Sequence, residues 1–136
     1  MQFVLWFGGA LLGGPLIAAA QKPAVDYDTQ VQPIFTANCA VAGCHTGETL
    51  PFGGLSGAGM ILLPEQSYEQ LIDVRSKLDK DRLRVVPGDS DASILVQKLE
   101  GAEDVGSRMP LAGDPLPASA IQLIRDWIDQ GAQREA

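Results

Sequence analysis

Cys39-Ala-Val-Ala-Gly-Cys44-His45, the stretch CAVAGCH, holds both cysteines of a 136-residue chain and its one histidine. Three chemistries use such a set. In an exported protein two cysteines usually pair, and four intervening residues allow a small disulfide loop. That pairing leaves the histidine beside the second thiol without a role. A structural zinc ion needs four ligands, and only Cys39, Cys44 and His45 lie close together in the chain. The third chemistry is covalent haem attachment, in which two thiols add across the vinyl groups of the porphyrin. The imidazole of the next residue then reaches the iron from the same turn. The usual spacing for this is C-x-x-C-H. Here four residues separate the cysteines, so the spacer must bulge outward to bring both sulfurs to groups a fixed distance apart. Ala40, Val41, Ala42 and Gly43 are small and flexible enough to do so.

If His45 takes one axial position of an iron, no second histidine exists for the other. The soft thioether of methionine is then the natural donor. Met1 belongs to the N-terminal apolar run, which leaves Met60 and Met109. Met60 sits in GAGMILL, where an apolar run favours core filling. Met109 sits in GSRMPLAG, a Gly/Ser/Pro loop in which Pro110 removes a donor and stiffens the chain beside the sulfur. Met109 is therefore the expected ligand. Arg108, its neighbour, is a candidate partner for a haem propionate or else a solvated loop charge.

Outward from the motif, the chain changes character at its start. From Phe3 to Ala20 it carries no charge, and every charged residue lies after this run. Residues 1–20 read as an export signal, with Ala18 and Ala20 before a cut that would leave Gln21 first. The competing reading is a retained membrane anchor, short for a span and interrupted by Gly13, Gly14 and Pro15. Residues 21–136 then form one domain outside the cytoplasm, periplasmic in a bacterium. The counts of 17 Asp+Glu against 10 Lys+Arg give a net charge of -7, which excludes a nucleic-acid binder because no basic stripe exists. The acidic balance favours a partner with a basic docking patch. With fifteen Gly, nine Pro and 6% aromatics, the chain is loop-rich around a small aromatic core. Something other than side chains can fill its centre.

The periodicities predict helices and no regular strand. Asp26 or Asp28 caps a first helix through Val31, Ile34 and Phe35 to Asn38, with Pro33 in its first turn. The Gly-rich residues 43–59 are irregular. A short helix starts at Ser67 with Tyr68, Leu71 and Ile72 on one face, and Arg75–Arg84 is a solvated connector. Ser90 or Asp91 caps a helix with Ile94, Leu95 and Leu99 inward, ended by Gly101. After a loop over 102–117, Ile121, Leu123, Ile124, Trp127 and Ile128 form a 3.6-period stripe stopped by Gly131.

YDTQVQPIFTANCAVAGC (27–44) resembles the opening of small bacterial monohaem c-type cytochrome domains. The segments GMILLPEQSYEQLI, RVVPGDSDASILVQKLEG, GSRMPL and LIRDWIDQGA are similar, in order, to those of exported cytochrome c-like domains, so the resemblance covers residues 26–132. Some multihaem cytochromes also use a four-residue spacer. The resemblance implies an all-α fold of four or five short helices wrapped around one covalently bound haem c. Its first helix would cross its last, with Ile34 and Phe35 meeting Ile124 and Trp127. Leu55, Leu62, Val86 and Leu95 would be candidates to face the ring. It further implies one-electron transfer between redox partners rather than enzymatic turnover, with Cys39 and Cys44 as thioether sites, His45 as proximal ligand and Met109 as distal ligand. Two other readings stay open: a five-coordinate haem sensor or peroxidase-like protein, and a cofactor-free interaction domain closed by a Cys39 to Cys44 disulfide.

Overall fold

Asp26 opens the first helical segment, its carboxylate accepting hydrogen bonds from the backbone N–H of Thr29 at 2.8 Å and from the Thr29 hydroxyl at 2.6 Å. The chain makes one wide π-helical turn, Tyr27–Val31, and continues as α1, Gln32–Asn38. Pro33 thus falls in the first turn of α1, where its fixed φ is tolerated. The computed structural model describes residues 22–111 and 113–135. The leader expected at residues 1–20 lies outside them. Among the described residues no helix is long and apolar enough to cross a membrane.

Helix dominates the regular structure. After α1 come a 3-10 turn at Ser56–Gly59, α2 at Ser67–Leu71, α3 at Ile94–Glu100, a second 3-10 turn at Glu103–Val105, and α4 at Ala118–Asp129. Extended pairing among the described residues is confined to isolated bridges, Thr49 with Leu55, Ile72 with Val85, Arg75 with Leu83 and Val86 with Asp89. Gly101 ends α3 in the left-handed conformation, and α4 stops just before Gly131, at φ 102°.

Three expectations need correction. Residues 75–84 are not simply a solvated connector: the bridges fold them back on themselves, and Ser76 and Arg84 are buried. Neither Ser90 nor Asp91 caps α3, whose N-cap is Ser93. Both instead receive the guanidinium of Arg125 from α4, at 2.9 Å and 2.6 Å, while Glu100 takes its other edge. A side chain reaching across from another helix has outcompeted the local cap. The third correction concerns the helix crossing. Trp127 of α4 meets Tyr27, ring centroids 4.9 Å apart, at the turn that precedes α1. Tyr27 also touches Phe35 and Tyr68, so it is the hub that joins the first and last helices.

That hub is completely buried and its polar atoms are paired. Tyr27 Oη donates to Ser67 Oγ at 2.6 Å, Ser67 donates onward to Gln32 Oε1, and Gln32 Nε2 donates to the carbonyl of Leu62. Desolvation drives the Tyr27 phenol far above its ordinary range, so it stays a neutral donor. Trp127, 1% exposed, donates from Nε1 to the Gln133 carbonyl at 2.7 Å. Truncating Trp127 to alanine is expected to cost about 3–5 kcal/mol, because it empties the largest ring from the hub and orphans that carbonyl. Urea unfolding of the variant checks it, and a cost below about 1 kcal/mol would show the hub is not the core.

Candidate cofactor site

The CAVAGCH segment begins where α1 ends. The Cys39 and Ala40 N–H groups both donate to the Phe35 carbonyl, so the helix closes on the first cysteine. The Cys39 carbonyl then accepts the N–H of His45 at 3.0 Å, and Cys44 N–H donates to Val41 O at 2.9 Å. These bonds draw the ends of the segment together and push the spacer out, leaving Val41, Ala42 and Gly43 exposed. Gly43 takes the outward corner at φ 76°, a conformation open to glycine and costly for most other residues. Its N–H is held by the Glu48 carboxylate at 2.9 Å.

The two thiols are both free. Cys39 is buried, and desolvation, with the neighbouring Cys44 adding to it, pushes its thiol up to about 11; Cys44 is exposed. Among the described residues no group of three or more His, Cys, Asp and Glu side chains converges on one ion position, so the zinc reading lacks a ligand set.

His45 is oriented by backbone. Its Nδ1 lies 3.2 Å from the carbonyl of Met60. A carbonyl only accepts, so Nδ1 carries the proton and Nε2 keeps its lone pair. Burial, opposed by that hydrogen bond and helped by the positive charges of Arg84 and Lys98, lowers the imidazole's pKa and favours the neutral form. A neutral ring with Nδ1 tied to a carbonyl and Nε2 free is the state a metal ligand requires.

The loop that presents Met60 depends on one glycine. Gly57, at φ 59°, lies so close that a Cβ there would stand 2.3 Å from His45 Nδ1 and 3.0 Å from the Cys44 carbonyl. Both the left-handed backbone and the close approach exclude a side chain. Gly57→Ala is therefore expected to break the Nδ1 bond to Met60 and change the resting tautomer of His45. Nitrogen-15 NMR of the imidazole reads this directly, and an unchanged Nδ1–H tautomer would refute it.

One cavity of about 1130 Å³, slightly larger than ordinary small-molecule sites, gathers these groups. Cys39, Cys44, His45, Met60 and Met109 all line it, with Leu62, Leu71, Ile94, Leu95 and Leu99 as apolar walls. Met109 arrives from the loop after α3, its N–H donating to the Lys98 carbonyl at 2.9 Å; the bond to Pro110 is cis. Val41, Leu78 and Leu111 are exposed lining residues. Of the four expected ring-facing residues, Leu62 and Leu95 line the cavity while Leu55 and Val86 do not. Arg108 is not among the lining residues either; it is exposed and packs its stem over Gly101.

The cations that do line the cavity are Lys77, Arg84 and Lys98, against one carboxylate, Asp114. The sequence pattern does not mark them, since Lys77 and Arg84 fall in a charged stretch that reads as a solvated connector. One signal was available: Arg84 stands in LRVV, an isolated charge between apolar residues. No family model, curated protein or solved structure matches the chain. The chemistry of this cavity therefore carries the functional reading.

Proposed function

We propose that the chain is an exported, cytochrome c-like domain that carries single electrons through one haem c, attached by Cys39 and Cys44 and ligated by His45 and Met109. The observation that carries this reading is the convergence on one apolar cavity of two free thiols, a neutral imidazole with its Nε2 lone pair available, and a methionine thioether. When bound, the group supplies a reversible one-electron couple at iron.

The protein's own residues perform three tasks in this reading. Cys39 and Cys44 supply the two sulfurs for the vinyl carbons from the two ends of a closed turn. Met60, through its carbonyl, holds His45 in one tautomer and raises its basicity as a ligand. That contact is made by the Met60 main chain at the ring atom remote from Nε2. Met109 comes from a separate loop anchored on Lys98 and lines the same cavity, so its thioether would be the second donor to the iron. The leucine and isoleucine walls exclude water, which limits reorganisation when the charge at iron changes.

A net charge of -7 suits docking to redox partners with a basic patch, since complementary fields speed encounter between carriers. The test is the protein exported from a host competent in haem c attachment. Its denatured intact mass should exceed that of the polypeptide by one haem, and both oxidation states should give six-coordinate low-spin spectra. A mass equal to the bare chain, or to the chain less two hydrogens, would overturn the reading in favour of a cofactor-free domain.

A further inference from the structure

Arg84 is the most deeply placed charge in the cavity. It is 9% exposed, yet among the described residues it forms no ion pair. Its Nη1 donates to the main-chain carbonyl of Gln70 at 2.6 Å and to the Gln70 side-chain oxygen at 3.2 Å, both neutral acceptors. The backbone around it is equally fixed, with Arg84 N–H on Val74 O and Leu95 N–H on Arg84 O. A buried, uncompensated cation is costly, and in a chain with seven excess negative charges a carboxylate could have been placed beside it. The seven other guanidinium and ammonium groups that pair or reach carbonyls are all less buried than Arg84. Lys98, half-buried on α3, faces the same cavity and donates from Nζ only to the Ser107 carbonyl at 3.2 Å.

We propose that Arg84 and Lys98 form a built anion subsite in the cavity, and that its ligand is the pair of propionate carboxylates of the haem. This rests on the haem c reading above. The arginine supplies a planar fork matched to a carboxylate, and the lysine a more mobile point charge for the second. Lys77 lines the wall too, with its ammonium held by the Ala58 carbonyl, and Asp114 is the one opposing charge. A haem held this way would place its carboxylates at Arg84 and Lys98 and its vinyl groups at Cys39 and Cys44, which line the same cavity. Arg108, exposed and outside the cavity, has no part in it.

The experiment uses the exported holoprotein and follows its midpoint potential from pH 5 to 9. Facing Arg84, a propionate stays ionised across this range, so the wild-type curve should be flat there. Arg84→Gln removes the counter-charge and should weaken the propionate acid at least tenfold, bringing its titration into the window. The potential of the variant should then fall as pH rises, because the newly formed anion favours ferric iron. Arg84→Lys and Arg108→Gln should both stay flat. An Arg84→Gln protein with haem attached and a flat curve would overturn the proposal while leaving the haem reading intact. Wild-type protein with no covalent haem would overturn both. If Arg84→Gln fails to load haem, Arg84→Lys decides: a loaded protein with a flat curve supports a charge requirement, whereas failure of both means Arg84 only packs.

Discussion

Replacing Cys39 and Cys44 together by alanine is expected to abolish covalent haem completely, the largest single effect foreseen for this protein. The wild-type polypeptide should keep its colour after denaturation and extraction with acidified organic solvent; the double variant should surrender all of it. The two single variants are expected to differ. Cys39 is buried at the end of α1 with a thiol pushed up to about 11, whereas Cys44 stands exposed at the mouth of the turn. Losing Cys39 removes the sulfur whose position is set by packing, so Cys39→Ala should give the lower holoprotein yield. His45→Ala should also prevent a stable holoprotein, because it removes the imidazole proposed as the proximal ligand while leaving the backbone N–H that closes the turn on Cys39. Haem that extracts freely from the wild type would sink this prediction.

The second large effect is expected at Met109. Met109→Ala should leave attachment through Cys39 and Cys44 intact but open the sixth position, so that the reduced protein binds carbon monoxide rapidly and exchanges electrons with an artificial donor more slowly. Met109→His should lower the potential by a sizeable share of the ~0.8 V that axial ligation commands, since a thioether favours ferrous iron more than imidazole does. Met60→Leu is the control. The contribution of Met60 to the site is its main-chain carbonyl on His45 Nδ1, which leucine retains. A reversal, with Met60→Leu opening the iron and Met109→Ala leaving the spectrum unchanged, would exchange the two assignments. Wild-type protein that already binds carbon monoxide rapidly would point to the five-coordinate sensor or peroxidase-like reading instead.

Much of this architecture was legible because it is local. The stripe of Ile124, Trp127 and Ile128 follows from helical period alone, and all three are buried in α4. Asp26 caps the first helical segment because an acceptor three residues ahead of a free N–H needs no tertiary help. Cys39, Cys44 and His45 share a turn by adjacency in the chain, and that Met109 faces the same cavity is in keeping with its rigid loop. Where local preference competed with a distant partner, the distant partner won. Ser90 and Asp91 have the chemistry of caps, but Arg125 from α4 offers them charge-assisted bonds, and Ser93 begins the helix instead. Tyr27 rather than Phe35 stacks on Trp127, a choice set by how segments far apart in the chain are brought together, not by the hydrophobicity of either residue.

The residues around the histidine divide in the same way. That His45 could serve as a ligand is a property of its side chain and of the two cysteines before it, present in the sequence without folding. Which of its nitrogens is free is a property of the Met60 carbonyl fifteen residues on, and of Gly57, whose missing Cβ lets that loop come near enough to bond. A backbone carbonyl has no residue code, so no pattern announces it. The same holds for the cations: as written, Arg84 is the last charge of a charged stretch, flanked by Leu83 and Val85, and Arg108 beside Met109 looks the better partner for an anion. Folding buries the first against the cavity and leaves the second in solvent, because the bridges of Ile72 with Val85 and Arg75 with Leu83 turn that stretch inward. Donor identity was thus determined by sequence, while tautomer, burial and counter-charge were decided only by contacts between segments distant in the chain.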